Sequence, residues 1–212
     1  MAVYDLEEQE QLDELKAWWK QYGRLVLLVV VAAAATVGGI YGWRSYHDTQ
    51  ALDAGELYTQ LQGAVGGGDA KKVQDITTAM VEKYPRAGYT IFAALAAAKT
   101  AFDGGDTAAA KTHLQWVIDN GREEETRDIA RLRLAAVLLD EKKYDEALKL
   151  LDAAHVDSLI ALYADLKGDV LVAQGKSGEA RNAYQLALDK SEAKSTYRTL
   201  IQVKLDALSG VK

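Results

Sequence analysis

Three histidines are the side chains of this sequence best suited to acid–base or metal chemistry, since imidazole titrates near neutral pH and binds transition metals. They stand at positions 47, 113 and 155, and none has a second ligand or a nucleophile at a typical spacing. We expect His113 to be a packed structural residue, because it follows Ala110 by three positions on the apolar stripe of a helix. We expect His155 to contact the negative end of a helix dipole and His47 to be solvated.

A glycine-rich run, GAVGGGDAK at residues 63–71, has the outer spacing of a phosphate-binding loop. Gly63 and Gly68 stand where the two glycines of that motif would stand, but Asp69 occupies the place of its lysine. A carboxylate there would repel phosphate, and no strand precedes the run. We therefore interpret the run as a turn between two helices.

Acidic runs are the remaining candidates for catalysis. Glu123–Glu125 and Asp145–Glu146 stand where helices are expected to begin, and carboxylates there stabilise the positive end of the helix dipole. The chain has no cysteine, so thiol chemistry and thiolate metal ligands are excluded. We predict that the protein is not an enzyme and has no catalytic residue, no cofactor and no metal site.

The composition indicates an all-α protein and excludes a nucleic-acid partner. The formal charge is −6, from 25 Lys and Arg against 31 Asp and Glu. Residues 1–24 contain 3 basic and 6 acidic residues and the rest 22 and 25, so no segment has the positive field that nucleic acids require. The chain has one proline, frequent alanine and leucine, and no alternating β-branched run, as expected of helices.

One segment, RLVLLVVVAAAATVGGIYGWR at residues 24–44, contains nineteen residues without a charge between its two arginines. At about 1.5 Å per residue a helix of that length spans the hydrocarbon of a bilayer. A buried core helix this long would be unusual here. A cleaved export signal could be cut at Ala32–Ala35, but residues 1–24 are long and acidic, whereas such signals begin with a short basic stretch. We predict an uncleaved transmembrane helix over residues 25–43.

The flanks of this span predict its orientation. Lys16, Lys20 and Arg24 precede it, while only Arg44 follows before Lys71, which favours a cytoplasmic N-terminus. Aromatic residues stand at both ends, as in membrane-interface belts: Trp18, Trp19, Tyr22, Tyr41, Trp43 and Tyr46. We predict a cytosolic acidic arm over residues 1–24, the span, and a domain on the far side over residues 44–212.

Small residues form one face of the span, since Ala34, Gly38 and Gly42 recur every four positions. Such a face lets a second transmembrane helix approach closely. We predict helix packing there, with ordinary recurrence of small residues as the alternative.

The chain after residue 48 repeats itself with a period of 33 to 37 residues. Each of four polar turns precedes an amphipathic helix: GGGD at 66–69, DGGD at 103–106, DEKKYDEA at 140–147 and AQGKSGEA at 173–180. The helices before the turns, such as DIARLRLAAVLLD at 128–140, are apolar nearly all round, as expected of helices between neighbours. We predict repeat units starting near 54, 91, 128 and 161, and a capping helix over residues 195–210.

The repeat resembles the tetratricopeptide repeat, a helix-turn-helix unit of about 34 residues. Small residues where its two helices cross are matched here by Ala110, Ala147 and Ala180. A small residue late in the first helix is matched by Ala98, Ala135 and Gly168, and Pro85 closes the first unit. Val73 departs from the expected alanine in the first unit. The resemblance implies an all-α solenoid, so the predicted fold is an N-terminal transmembrane helix followed by a tetratricopeptide-like solenoid.

In such solenoids the first helices line a concave surface, and this suggests partner-binding positions. They are Phe92, Leu95, Lys99, Phe102, Leu132, Ala136, Leu139, Leu162, Asp165 and Asp169. The family's carboxylate clamp is not expected, because its places hold Thr59, Gln62 and other residues without the required cations. An apolar trough with two acids at one end would suit a segment with apolar and basic side chains. The alternative is that these residues pack against their neighbours and expose no groove.

Taken together, the acidic arm, the span ending in GWRSY, and YADLKGDVLVAQGKSGEARNAY at residues 163–184 resemble the YfgM-type ancillary subunits of the bacterial Sec translocon. The resemblance covers nearly the whole chain. It implies a single-pass inner-membrane protein with residues 44–212 in the periplasm, bound to Sec translocon subunits. It also implies contact with a membrane-anchored periplasmic chaperone of the prolyl-isomerase type.

Two hypotheses follow for the repeat domain under this resemblance. It is either an adaptor that passes newly exported proteins to periplasmic chaperones, or a holdase that binds unfolded exported clients directly. An assembly scaffold for another envelope complex is a further alternative, although such factors are usually lipid-anchored through a cysteine. If family members bind a cytosolic regulator, Asp5–Glu14 is the segment of the arm suited to it, through its charge and a short helix.

Overall fold

A computed structural model describes residues 3–193 and 195–208 of the chain, with the backbone alone for residues 3–10 and 42–48. Apart from the single-turn 3₁₀ helix Asp157–Leu159, all regular structure among these residues is α-helical, which confirms the all-α fold class. The described residues form nine α-helices: α1 Val3–Gly66, α2 Ala70–Lys83, α3 Gly88–Asp103, α4 Thr107–Asn120, α5 Glu124–Asp140, α6 Tyr144–Leu151, α7 Ile160–Ala173, α8 Ser177–Lys190 and α9 Thr196–Ala207. The chain divides into two compact units between Gln50 and Ala51.

The first unit contains a stretch of α1, Gln11–Tyr41, that is long and apolar enough to cross a membrane, with a mean hydropathy of 2.1. No other helix of the described residues meets those criteria, so the single N-terminal candidate span is confirmed. Its leucines are exposed, and so are its valines except the partly buried Val26, as expected of a membrane-facing surface. At its start the ring centroid of Trp18 lies 6.4 Å from Trp19 and 5.9 Å from Tyr22, in an exposed aromatic group.

The second unit consists of helix pairs and a final single helix. The part of α1 from Ala54 to Gly66 pairs with α2, and the later pairs are α3 with α4, α5 with α6, and α7 with α8. The predicted unit starts at 54, 91, 128 and 161 fall within the first helix of each pair. The predicted capping helix corresponds to α9, and residues 209 and 210 of that prediction lie outside the described residues.

Four turns between paired helices share one backbone geometry. Gly68, Gly105 and Gly175 have φ values of 71°, 83° and 76°, and Lys142 has a φ of 60° in the third turn. In each turn the backbone amide of the residue after this positive-φ residue donates to a carbonyl five residues earlier in the chain: Asp69 to Ala64, Asp106 to Ala101, Lys143 to Leu138, and Lys176 to Leu171. This is the Schellman ending of a helix. A left-handed conformation favours glycine, which explains three of the four residues.

The paired helices cross at small residues. Ala110, Ala135, Ala147 and Ala180 are fully buried, and Ala98 is nearly so. The tightest crossing lies between α7 and α8, where a Cβ built on Gly168 would overlap the ring of Tyr184. The core between the helix pairs is therefore built from alanine and glycine at the crossings and from leucine, valine and tyrosine around them.

The third pair has a short second helix, and the loop that follows this helix is hydrogen-bonded to the first helix of the pair. α6 has 8 residues, whereas α2, α4 and α8 have 14 each. Asp128, fully buried on α5, pairs with Arg131 and accepts a hydrogen bond from the Val156 amide at 2.9 Å. The hydroxyl of Tyr163 donates to the Asp128 carbonyl at 2.8 Å. The first of these hydrogen bonds ties the loop to α5, and the second ties α7 to α5.

An ion cluster joins α4 to the third turn. Lys111 Nζ lies 2.6 Å from Glu141 Oε1, and Lys143 Nζ lies 2.8 Å from Glu141 Oε2. Hydrogen bonds from Lys111 and then from Lys143 lower the pKa of Glu141 to about 2. The carboxylate is therefore ionised in the folded chain at all pH values above that range.

Replacing Gly168 with alanine is expected to lower the free energy of unfolding by about 1–3 kcal/mol, because the added methyl group overlaps the Tyr184 ring in a packed core. The measurement is urea unfolding of the full chain in detergent micelles, followed by circular dichroism. Gly178→Ala is the matched control, since its Cβ meets nothing within 4 Å in α8. Equal stability of the two variants would contradict the crossing described here.

The Glu141 cluster predicts a pH dependence of stability. Because the folded pKa of Glu141 lies below the ordinary glutamate value of 4.5, the stabilisation is fully present above that pH and is lost as the pH falls toward 2. The difference in unfolding free energy between the wild type and Glu141→Gln is therefore expected to shrink from pH 6 to pH 2.5. In a Lys111→Met background the change with pH should be smaller, since the principal partner is absent. A difference that stays constant with pH would refute the ion cluster.

Candidate partner-binding site

The residues suited to chemistry have structural roles in the second unit. His113 is buried on α4 and its Nε2 lies 2.7 Å from Gln74 Oε1 on α2, and burial lowers its pKa. His155 stacks on Tyr163, with ring centroids 4.0 Å apart and planes 10° apart. No group of three or more histidines and acids that could hold a metal ion occurs among the described residues. His47 lies in residues 42–48, outside the described side chains.

The glycine-rich run at 63–71 forms the turn between α1 and α2. The Asp69 carboxylate accepts a hydrogen bond from the Lys72 amide at 3.0 Å and so caps the N-terminus of α2. Asp106 caps α4 in the same way, through the Ala109 amide at 2.9 Å. These carboxylates therefore occupy the helix N-termini at which an anion would otherwise bind.

The ten predicted partner-binding residues lie on the first helices of three pairs, α3, α5 and α7. Three of them are exposed: Phe92, Lys99 and Leu162. Six are partly buried: Leu95, Phe102, Leu132, Ala136, Leu139 and Asp169. Asp165 is buried, with 6% of its surface exposed. The surface is thus open at some positions and packed at others, and both readings of the sequence describe part of it.

Three predicted residues come together at one pocket. Lys99, Phe102 and Ala136 line a recess of about 340 Å³ between α3 and α5, together with Ala98, Asp103, Leu114, Arg133 and Val137. We call it the α3–α5 pocket. Its floor is apolar, and its rim contains the charged groups of Lys99, Asp103 and Arg133. Arg133 was not among the predicted residues, and it lies one position round α5 from the predicted stripe.

Three aromatic rings, two of them exposed, lie next to one another at the N-terminal end of this surface. The Tyr58 ring on α1 stacks on Tyr89 at a centroid distance of 5.5 Å and meets Phe92 at 6.4 Å. Tyr89 and Phe92 are about half exposed, at 45% and 53%. Of these three residues only Phe92 was predicted, although Tyr58 falls on the same kind of helix and Tyr89 stands one turn before Phe92.

The C-terminal end of the surface is closed by α9 through a bonded group that we call the C-terminal latch. Lys204 Nζ lies 2.9 Å from both oxygens of Asp165 and 2.8 Å from Asp169 Oδ2. The hydroxyl of Tyr197 donates to Asp165 Oδ2 at 2.8 Å, and that of Tyr184 to Asp169 Oδ1 at 2.7 Å. All four carboxylate oxygens therefore accept hydrogen bonds from within the chain.

The protonation states of the latch suit these bonds. Burial raises the pKa of Tyr184 and Tyr197, and the accepting carboxylates raise both further. Burial lowers the pKa of Lys204, but its bonds to Asp169 and Asp165 raise it more, so the net shift is upward. Both tyrosines and the lysine thus keep their donor protons at neutral pH. A cation of a partner would compete with Lys204 for Asp165 and Asp169.

A second cleft of about 960 Å³ lies between the second helices α4 and α6. Trp116, Leu150 and Ala153 border it above the buried Leu134 and Leu138. The short α6 contributes one wall of this cleft. The repeat domain thus has recesses on its first helices and on its second helices.

The small residues of the span are exposed where the structure describes their side chains. Ala34 is exposed, and a Cβ built on Gly38 would meet nothing within 4 Å. Gly42, like Trp43 and Tyr46, lies in residues 42–48, outside the described side chains. The predicted packing role of Ala34, Gly38 and Gly42 stays a prediction.

The chain is similar to known proteins over nearly its whole length. A family model described as a tetratricopeptide repeat-like domain matches residues 16–210, which confirms the predicted solenoid class. A protein of Neisseria gonorrhoeae named ancillary SecYEG translocon subunit is 36% identical, over 98% of this chain and 100% of that protein. A protein of the same name from Haemophilus influenzae is 32% identical, over 87% of this chain and 90% of that protein. One from Escherichia coli is 28% identical, over 99% of this chain and 100% of that protein. No solved structure matches the chain.

Replacing Lys204 with methionine is expected to lower the free energy of unfolding by about 1–3 kcal/mol, since it leaves buried carboxylate oxygens without their charged donor. Urea unfolding of the full chain in detergent micelles measures this effect. Lys190→Met, at the exposed end of α8, is the matched control and should change stability little.

The double variant Lys204→Met with Asp165→Asn should recover part of the loss, because it removes one of the stranded charges. Additive effects of the two substitutions would argue that Lys204 and Asp165 do not interact.

Proposed function

Because the chain belongs to the tetratricopeptide repeat-like family of ancillary SecYEG translocon subunits, we propose that it is a membrane-anchored subunit that associates with the Sec translocon. The similarity to the Neisseria gonorrhoeae protein over 98% of this chain supports this role. The single N-terminal candidate span, Gln11–Tyr41, fits a single-pass inner-membrane protein. The names of the relatives are not enzyme names, in agreement with a role in protein association.

The proposed orientation has the N-terminus in the cytoplasm and residues 44–212 in the periplasm. The charges of Lys16, Lys20 and Arg24 before the span support it, because basic residues favour the cytoplasmic side of a membrane helix. The acidic arm, residues 1–24, would then be available to a cytosolic regulator. The open face of Ala34 and Gly38 would be available to a transmembrane helix of the translocon.

The repeat domain would act as an adaptor that passes newly exported proteins to periplasmic chaperones, with a membrane-anchored chaperone of the prolyl-isomerase type as its partner. The observation that supports a docking role is the exposed apolar surface of the first helices, from the rings of Tyr58, Tyr89 and Phe92 to the α3–α5 pocket. Large aromatic residues in such positions are typical of binding hot spots. The cleft between α4 and α6 would allow a second partner to bind at the same time.

In-cell photocrosslinking from Gly38 and from Phe92 tests this function. A benzophenone amino acid replaces each residue in turn, and the adducts are identified by mass spectrometry. We expect adducts with a translocon subunit from position 38 and with one periplasmic chaperone from position 92. Asn182, exposed on α8, is the control position and should give neither adduct.

Other outcomes would change the proposal. A mixture of newly exported proteins at position 92 would replace the adaptor role with direct holding of clients. Adducts with another envelope complex would indicate an assembly scaffold. The absence of any translocon adduct at position 38 would argue against contact with the translocon through this face of the span.

A further inference from the structure

Most charged side chains of the predicted binding surface already have a partner within the described part of the chain, and one at the rim of the α3–α5 pocket does not. Lys99 Nζ lies 2.6 Å from Asp103 Oδ2, so these two groups of the pocket rim offset each other. Asp165 and Asp169 are engaged by Lys204 and by two tyrosine hydroxyls in the C-terminal latch. Arg133, exposed at the rim of the α3–α5 pocket, has no hydrogen bond or ion pair with the described residues. The rim therefore has one uncompensated positive charge beside an apolar recess.

The shape of the α3–α5 pocket suits one large apolar side chain. Its volume of about 340 Å³ is at the lower end of the range for ligand pockets, about 300–1,000 Å³. Phe102, Leu114 and Val137 supply an apolar lining, with the methyl groups of two alanines between them. Polar groups occur only at the rim, so the floor would select for hydrophobicity and the rim for charge.

Building on the proposed docking role of this surface, we propose that the α3–α5 pocket binds an acidic, apolar polypeptide segment of the partner. One large apolar side chain enters the pocket, and a nearby carboxylate pairs with the guanidinium of Arg133. Arginine binds carboxylates through two parallel hydrogen bonds and is frequent among binding hot spots. The Asp165 and Asp169 carboxylates had suggested a basic partner, but their oxygens are already bonded to Lys204, Tyr184 and Tyr197.

A basic segment is disfavoured at both places. Beside Arg133 its cation would meet a like charge, which opposes binding. At the latch it would have to replace Lys204 in bonds of the same kind, so it would gain little. An acidic segment meets neither obstacle, and its carboxylate can pair with the Arg133 guanidinium.

Three synthetic peptides test the proposal by fluorescence anisotropy with the full chain in lipid nanodiscs. The acidic probe is fluorescein-labelled GSLDALFDALGS, and its two counterparts contain asparagine or lysine in place of both aspartates. We expect the acidic probe to bind at least about tenfold more tightly than the lysine probe, with the asparagine probe between them; tenfold corresponds to about 1.4 kcal/mol.

Substitutions in the chain identify the group responsible. Arg133→Glu should reverse the order of the acidic and lysine probes, and Arg133→Gln should make them similar. Lys190→Glu changes the charge of an exposed residue on α8 and should leave the order unchanged. Phe102→Ala should weaken all three probes several-fold, because it removes part of the apolar lining that they share.

The outcomes separate this inference from the docking function itself. If the probes bind equally well and Phe102→Ala weakens them all, the pocket docks segments without a charge preference and the inference fails alone. If the lysine probe binds most tightly and Lys204→Met strengthens it, the acids of the latch are the charged site and the inference is wrong. If no probe binds, or if Phe102→Ala changes nothing, the inference fails and the α3–α5 pocket is not the docking surface. The crosslinks from position 92 then decide on the adaptor role independently.

Discussion

Close contact between the two helices of each pair is the constraint on which the rest of the repeat domain depends. A helix pair cannot cover its own apolar faces, so it is stable only when stacked on its neighbours. Stacking requires the helices to approach closely at their crossings, where Ala98, Ala110, Ala135, Ala147 and the Gly168–Tyr184 contact leave room for the backbones. The Schellman turns then set the direction of each second helix. First helices are thereby aligned along one surface.

The last pair has no further pair to cover it, and α9 takes that place. Ile201 and Leu205 bury themselves against α8, while Lys204 and Tyr197 bond to the carboxylates of α7. The end of the solenoid is thus closed by both apolar and ionic contacts. One consequence is that Asp165 and Asp169, although they stand at groove positions, are bonded within the chain. The charged group that the surface leaves available to a partner is therefore Arg133.

Features that depend on local pattern were predictable from the sequence. The all-α class, the apolar span and the repeat followed from composition, periodicity and turn glycines, and the third turn was located although Lys142 occupies its glycine position. Contacts between distant residues were not predictable. Asp165 and Asp169 looked like open groove acids, because nothing in a repeat pattern shows that Lys204, 39 residues after Asp165, will bind both. Arg133 was missed because one residue step around α5 separates an exposed cation from the packed stripe of Leu132 and Ala136.

The distribution of bonded and unbonded charge explains why specificity should lie in the middle of the repeat surface, between the second and third helix pairs. An interaction adds binding free energy only if it replaces water, and not if it replaces an equivalent bond within the chain. At the latch a partner cation would exchange one ammonium for another and leave Lys204 without its acceptors. At the α3–α5 pocket the Arg133 guanidinium meets water in the free chain, and the apolar floor beside it is partly exposed. Docking there removes apolar surface from water and provides the guanidinium with a carboxylate, at no cost in bonds within the fold.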